Sequence, residues 1–435
     1  SSHPTTVPQP VPRSSERDGA VHWAATSIYL PDGSFLHLPE EEDDVRFYDL
    51  VSSLRDLPHA PLAPFPFPAS PDVRVLNILQ GEIGHCTPDQ ADEILSTDAT
   101  TCHVLAIRSV SQRKRRVLCS LCHVESGDAD LVLDLDAMIE EHVCYHRDAD
   151  ADSDAFLQLH LAGGYPDAAG ISAGIGSLLL RWAARAASDL RRRQCPPFRL
   201  SLDTFFVGRS NVGQDNGPLV RGISLRPAEG TLRSLTSRHV LPRDQRGPAL
   251  ALRAARTFSL YDREREMSSS HRMRTVHRPN PTWGGGSVLA VKPYGLYYDG
   301  LHKGLLGIQE DDVLLRYTST SPEMEGEDFA EQVRDTLRFL IEHGTNVDTV
   351  ISQQSRRGSG RGNRVFGKDG TQWIFYKRDC TVTQTLNDHE GSNTDNNVLQ
   401  HEAGNNGWVP VAWNSEEYQM LVARYADGIP NASTL

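Results

Sequence analysis

The chain has 435 residues and no apolar run long enough to cross a bilayer as a helix. Its longest candidate, Ile171 to Ala187, carries Arg181 and Arg185 and is broken by glycine and serine, so it reads as part of an amphipathic helix. Cysteine is scarce and odd in number: seven, at 86, 102, 119, 122, 144, 195 and 380, with irregular spacing. That pattern excludes a disulfide framework. With no secretory apolar segment near Ser1, it leads to the expectation of a reduced chain, cytoplasmic and also nuclear. Basic charge is in deficit, the formal net charge being −13, so the bulk surface does not suit non-specific nucleic-acid binding and no nucleic-acid partner is expected. Strict strand–helix alternation is also missing, and nothing demands a parallel sheet.

What is present is enough apolar sequence for a full core, 38% of residues, distributed in strand-like and helix-like periods. The fold expected is α+β, packed mixed β-sheets with helices outside. One domain is expected over residues 22–378, after a proline-rich disordered tail at 1–21 and before a loosely attached, Asn/Gly-rich tail at 379–435. Residues 263–312, with Ser268-Ser-Ser and Gly284-Gly-Gly among many charges, read as an insertion.

In order, Ser27 to Leu38 predicts two short strands about a Pro-Asp-Gly turn. A charged helix start at Glu40–Asp44 leads into Phe47–Leu57, and Val73–Gln80 predicts a strand. Later come a short helix over Asp134–Val143, a strand over Leu157–Leu161 ending at Gly163-Gly164, and a long helix over Ser172–Arg193. Strands follow at Phe198–Val207 and Leu219–Leu225. Arg253 interrupts an apolar 249–260 segment. A helix over Glu327–Glu342 and a last hairpin, Val365-Phe and Trp373–Lys377, close the pattern.

The chemistry concentrates in Ser96–Ser126. Thr101–Ser109 alternates, with Cys102, Val104 and Ala106 on one side and His103, Leu105 and Ile107 on the other. In Arg116–Glu125, Val117, Cys119, Leu121 and His123 share a face. The polar link Ser111–Arg115 suits an antiparallel hairpin. A turn centred between Gln112 and Arg113 would place Cys102 directly opposite His123, with Cβ atoms about 4.5–5.5 Å apart. An imidazole at that range can activate a thiol as a thiolate–imidazolium nucleophile. The same residues also occur as core fillers, and a slip of one residue would separate them.

Other motifs lose on physical grounds. Cys119-Ser-Leu-Cys122-His123 has haem-attachment spacing, but that chemistry belongs to exported proteins. As half of a zinc site it would recruit Cys144, His142 or His146, yet Cys119 and Cys122 point to opposite faces of a strand. Gly362–Asp369 resembles a phosphate loop with Asp where the metal-ligating hydroxyl belongs, and Ser355–Gly362 reads as a solvated Arg/Gly linker.

Ser96-Thr-Asp-Ala-Thr-Thr-Cys102-His103, Leu159-His-Leu-Ala-Gly-Gly-Tyr165, Leu252-Arg-Ala-Ala-Arg-Thr257, Ser259-Leu-Tyr-Asp262 and Tyr317-Thr-Ser-Thr-Ser-Pro322 occur in one order. Together they resemble the protein N-terminal asparagine amidohydrolases over most of residues 25–345. The resemblance implies the fold of the Cys–His deamidases, with Cys102 as nucleophile and His123 as base. It also implies Ser96 as the hydroxyl that orients the imidazole. The substrates implied are proteins or peptides with N-terminal Asn, converted to Asp without metal or cofactor, and the product is handed to arginylation in the N-degron pathway. A free α-ammonium needs a carboxylate: Asp98 is the first choice, from the same motif, and Glu125 the second. Rival readings are a deamidase of internal glutamines and a non-catalytic module that binds N-termini.

Overall fold

The computed structural model describes residues 27–53 (without 40 and 42), 73–127 (without 112–114), 129–147, 155–192, 198–236 (without 215), 250–258, 274–277, 288–291, 296–346 (without 320), 374–378, 408–411, 415–416 and 419–420. Its larger sheet runs β17 (Trp408–Pro410), β16 (Ile374–Arg378), β13 (Val288–Val291), β12 (Arg274–His277), β4 (Glu82–Cys86), β7 (Arg116–Val124), β6 (His103–Ser111), β8 (Ala155–Gly163), β9 (Phe198–Val207), β1 (Ser27–Tyr29), β2 (Phe35–His37). The smaller sheet runs β11 (Leu232–Leu235), β10 (Gly222–Leu225), β5 (Glu93–Ser96), β3 (Val75–Asn77), and β14 (Tyr297–Tyr298) pairs with β15 (Thr345–Asn346). Helices α1 (Asp44–Ser52), α2 (Ala129–Arg147), α3 (Ile171–Arg192), α4 (Leu250–Phe258), α5 (Gly300–Leu306), α6 (Asp311–Thr318) and α7 (Phe329–His343) flank the sheets. The protein is α+β with mixed sheets: β6 is antiparallel to β7 and β8, while β8 is parallel to β9 and β4 to β12.

Alternation in β6 and β7 feeds two apolar layers, one on each side of the large sheet. Leu105, Ile107, Cys122 and Val124 pack toward α1, α2 and α3, where Phe47, Leu135, Leu179, Trp182 and Ala183 are buried. Val104, Ala106, Cys119 and Leu121 face the small sheet's Leu76, Ile94 and Ile223, with Ala255 of α4 and Leu340 of α7. Each large apolar side chain sealed in this way stabilises the fold by about 1.5–3 kcal/mol. Cys119 and Cys122 therefore lie on opposite sides of the sheet.

The hairpin differs from the sequence expectation in register. Ser111 pairs with Arg116, so the link is four residues, 112–115, and Arg115 takes a left-handed φ of 51°. The turn is centred one residue later than expected. His123 consequently lies opposite Val104, and Cys102 sits just before β6 begins. The displacement is even in the pairing, which preserves the face: Cys102 still packs in the layer of Val104, Ala106 and Leu121, on the His123 side.

Several element bounds also move. The helix expected over Asp134–Val143 extends to Ala129–Arg147, and the strand expected from Leu219 starts at Gly222. Within 263–312, β12 joins the large sheet beside β4, and β13 follows it. Trp408–Pro410, in the segment expected as a loose tail, pairs with β16. Residues 1–21 and the 355–369 motifs lie outside the described residues. Among the described residues no helix is long and apolar enough to cross a membrane.

Candidate active site

The site forms where the end of β5 in the small sheet meets β7 in the large one. Ser96, the last residue of β5, is fully buried, and its Oγ lies 2.8 Å from His123 Nδ1. The same hydroxyl donates to the Ile78 carbonyl at 2.7 Å. Its one proton being used there, it can only accept from the ring, so His123 carries its proton on Nδ1 and a lone pair on Nε2. That Nε2 has no hydrogen-bond partner among the described residues, although His123 is only 3% exposed. Burial lowers the His123 pKa to about 4, with Glu82 acting in the opposite direction, so the ring is neutral at pH 7.

Cys102 is half-buried and reduced, in the bend that leads into β6. Burial pushes its thiol pKa up, Glu125 and Glu325 push it further, and its own backbone amide acts weakly in the other direction. Burial therefore favours the protonated thiol at Cys102 and the neutral imidazole at His123. The Gly163-Gly164 bend at the end of β8 holds the cysteine loop from below. Gly164 N donates to Cys102 O and Tyr165 N to Thr100 O, each at 2.7 Å. Both glycines have positive φ, 94° and 63°, and a Cβ on Gly163 would come within 2.5 Å of Cys102 O.

His103 faces the other way. Its Nε2 lies 2.8 Å from Tyr48 Oη on α1, and that hydroxyl donates to Gly164 O. It anchors the loop away from the thiol.

Asp98 is exposed at the rim in a left-handed conformation, φ 64°, and accepts from Thr97 Oγ1 at 2.9 Å. Glu125 lies just beyond β7, close enough to act on the thiol. The sequence reading missed Glu325, which follows the Ser319-Thr-Ser321-Pro322 motif. Ser319 Oγ donates to Glu325 Oε1 at 2.5 Å, and burial raises the Glu325 pKa. Arg221 ties these pieces together. Its carbonyl accepts from Ala99 N at 2.8 Å, and its guanidinium donates to the Met324 carbonyl.

A buried serine aligns a neutral imidazole on the side of the sheet that also holds the Cys102 thiol, and Glu125 and Glu325 act on that thiol. The family model described as protein N-terminal asparagine amidohydrolase matches residues 67–362. The Homo sapiens protein N-terminal asparagine amidohydrolase is 26% identical over 293 residues, covering 64% of this chain and 78% of that protein. The Sus scrofa protein of the same name is 24% identical over 292 residues, with the same coverage of 64% and 78%. The chain belongs to the protein N-terminal asparagine amidohydrolase family.

Proposed function

We propose that this protein deamidates the side chain of an N-terminal asparagine of proteins or peptides to aspartate, releasing ammonia, by a Cys–His thiol mechanism. The observation that carries the reading is the Ser96–His123 hydrogen bond, which leaves Nε2 as the available base on the side of the sheet that holds Cys102. Because both partners rest neutral, the thiol proton passes to Nε2 as sulfur attacks the carboxamide carbon. The C=O π pair moves onto oxygen, and the Cys102 amide N–H holds the oxyanion. Collapse of that intermediate expels the amine, which takes the proton from the imidazolium and leaves as ammonia. Water then gives its proton to Nε2 and adds to the thioester. Sulfur departs with that proton, and the product carries Asp in place of Asn.

Asp98 at the rim holds the substrate α-ammonium in this reading. The aspartyl product enters the arginylation branch of the N-degron pathway, in the cytoplasm and the nucleus. A peptide panel tests the reading through ammonia release and the mass change of NH2 to OH. An Asn-initiated peptide is expected to react, and its N-acetylated form and an internal-Asn peptide are expected not to. Reaction of an internal-Gln peptide would favour a glutamine deamidase, and binding of Asn-peptides without turnover would favour a non-catalytic module.

A further inference from the structure

A second polar cluster lies against the turn that leads into β4. Arg253 of α4 and Glu82 of β4 are buried, 1% and 0% exposed in their side chains. Arg253 Nε donates to Glu82 Oε1 at 3.0 Å and Nη2 to Oε2 at 2.6 Å, a bidentate pair. Both members also grip the backbone of one tight turn. Arg253 Nη2 donates to the Asn77 carbonyl at 2.7 Å, and Glu82 Oε2 accepts from Leu79 N at 3.0 Å.

That turn, Asn77 to Glu82, is the segment that touches the base. Its Ile78 carbonyl accepts a hydrogen bond from the Ser96 hydroxyl, and its Gly81 N donates to the His123 carbonyl at 2.9 Å. The path from Arg253 to the imidazole is therefore continuous: guanidinium, Asn77–Glu82 turn, Ile78 carbonyl, Ser96 hydroxyl, His123 Nδ1. A buried ion pair contributes little net stability compared with apolar side chains of similar volume. Holding a carbonyl in a fixed direction is something an apolar pair cannot do.

We propose that Arg253 and Glu82 are positioning residues for His123: they fix the turn whose Ile78 carbonyl directs the Ser96 hydroxyl, and so set the Nδ1–H tautomer of the base. The assignment rests on the deamidase reading only for the word base. The tautomer itself can be observed whether or not the protein deamidates anything.

The test uses the full chain with two variants, Arg253→Lys and the double variant Glu82→Gln/Arg253→Met. Lysine keeps the buried charge but, as a point donor, lacks the planar fork that holds Glu82 and Asn77 together. The double variant removes both charges, leaving neither stranded. Three quantities are read: melting temperature, the His123 ring nitrogens by 15N NMR, and kcat and KM on an Asn-initiated peptide. The expected result is a folded double variant whose His123 shows a mixture of tautomers and whose kcat falls on the order of 10- to 100-fold at unchanged KM. Arg253→Lys is expected to lie between it and the parent.

A folded variant that keeps the single Nδ1–H tautomer overturns the proposal, whatever its activity. So does failure of both variants to fold, which makes the pair purely structural. If the parent deamidates no Asn-peptide, the deamidase reading fails alone, and the tautomer comparison still decides the role of the pair.

Discussion

Ser96 and His123 belong to different sheets, yet Ser96 Oγ lies 2.8 Å from His123 Nδ1, so the hydroxyl of one layer sets the tautomer of a ring on the other. Ser96→Ala removes the acceptor of Nδ1–H and leaves that donor buried. We expect kcat to fall roughly ten- to a hundredfold with KM nearly unchanged. Unchanged turnover would remove Ser96 from the catalytic path.

The site is only partly legible in the sequence, for physical reasons. Phe198–Val207 and the long helix at Ile171–Arg192 were legible because one face of each is apolar at a clear period. The β6–β7 register was not, because alternation fixes a strand's face but not its position, and the link between the strands is wholly polar. A displacement that keeps the face is invisible to the pattern, which is why Cys102 stayed on the His123 side while losing its direct pairing. Arg253 stood out as a charge in an apolar segment, but its partner Glu82 is 171 positions away in sequence. Glu325 could have been found only by asking what the Ser319 hydroxyl bonds. Trp408–Pro410 is a three-residue strand in an Asn/Gly-rich stretch, too short for any period to show.

Burial lowers the imidazole pKa of His123 to about 4, of His103 and His160 to about 3, and of His142 to about 3 from the ordinary 6.5. Each is a depressed value, so the unfolded chain binds protons that the folded chain refuses. Their stabilisation is complete above about pH 6.5 and is lost as pH falls toward 4 and then 3. The melting temperature should therefore decline between pH 7 and pH 5, where most carboxylates are still ionised. A flat profile over that interval would contradict the buried, neutral state of these rings.

The Cys102 thiol is held protonated first by burial and then by the negative charge of Glu125 and Glu325. Iodoacetamide should accordingly alkylate it more slowly than a free thiol at pH 8. Glu325→Gln removes one of the opposing charges and should raise the alkylation rate on the order of two- to tenfold. No change, or a slower reaction, would show that the Glu325 charge does not act at the sulfur.

Asp98 is exposed, so its pairing with a substrate ammonium is expected to be that of a surface ion pair, about 0.2–1 kcal/mol. Asp98→Asn should then raise KM for Asn-peptides only severalfold and leave the alkylation rate of Cys102 nearly untouched. Equal slowing of both would make Asp98 a support of the Thr97–Cys102 loop instead.

Gly163 takes φ 94° and leaves no room for a side chain beneath the Cys102 carbonyl. Gly163→Ala should cost more than about 1 kcal/mol from backbone strain alone, and displace the cysteine loop. A variant with parental melting temperature and turnover would show that the loop accommodates the methyl group.

The most direct measurement of the central claim is the steady-state rate of ammonia release from an Asn-initiated peptide by the parent protein and by Cys102→Ala. Sustained turnover is expected in the parent, with one Asp-initiated peptide formed per ammonia, and none above background in the folded Cys102→Ala variant. Turnover that survives loss of the thiol, or a parent that releases no ammonia from any Asn-initiated peptide, would contradict the claim.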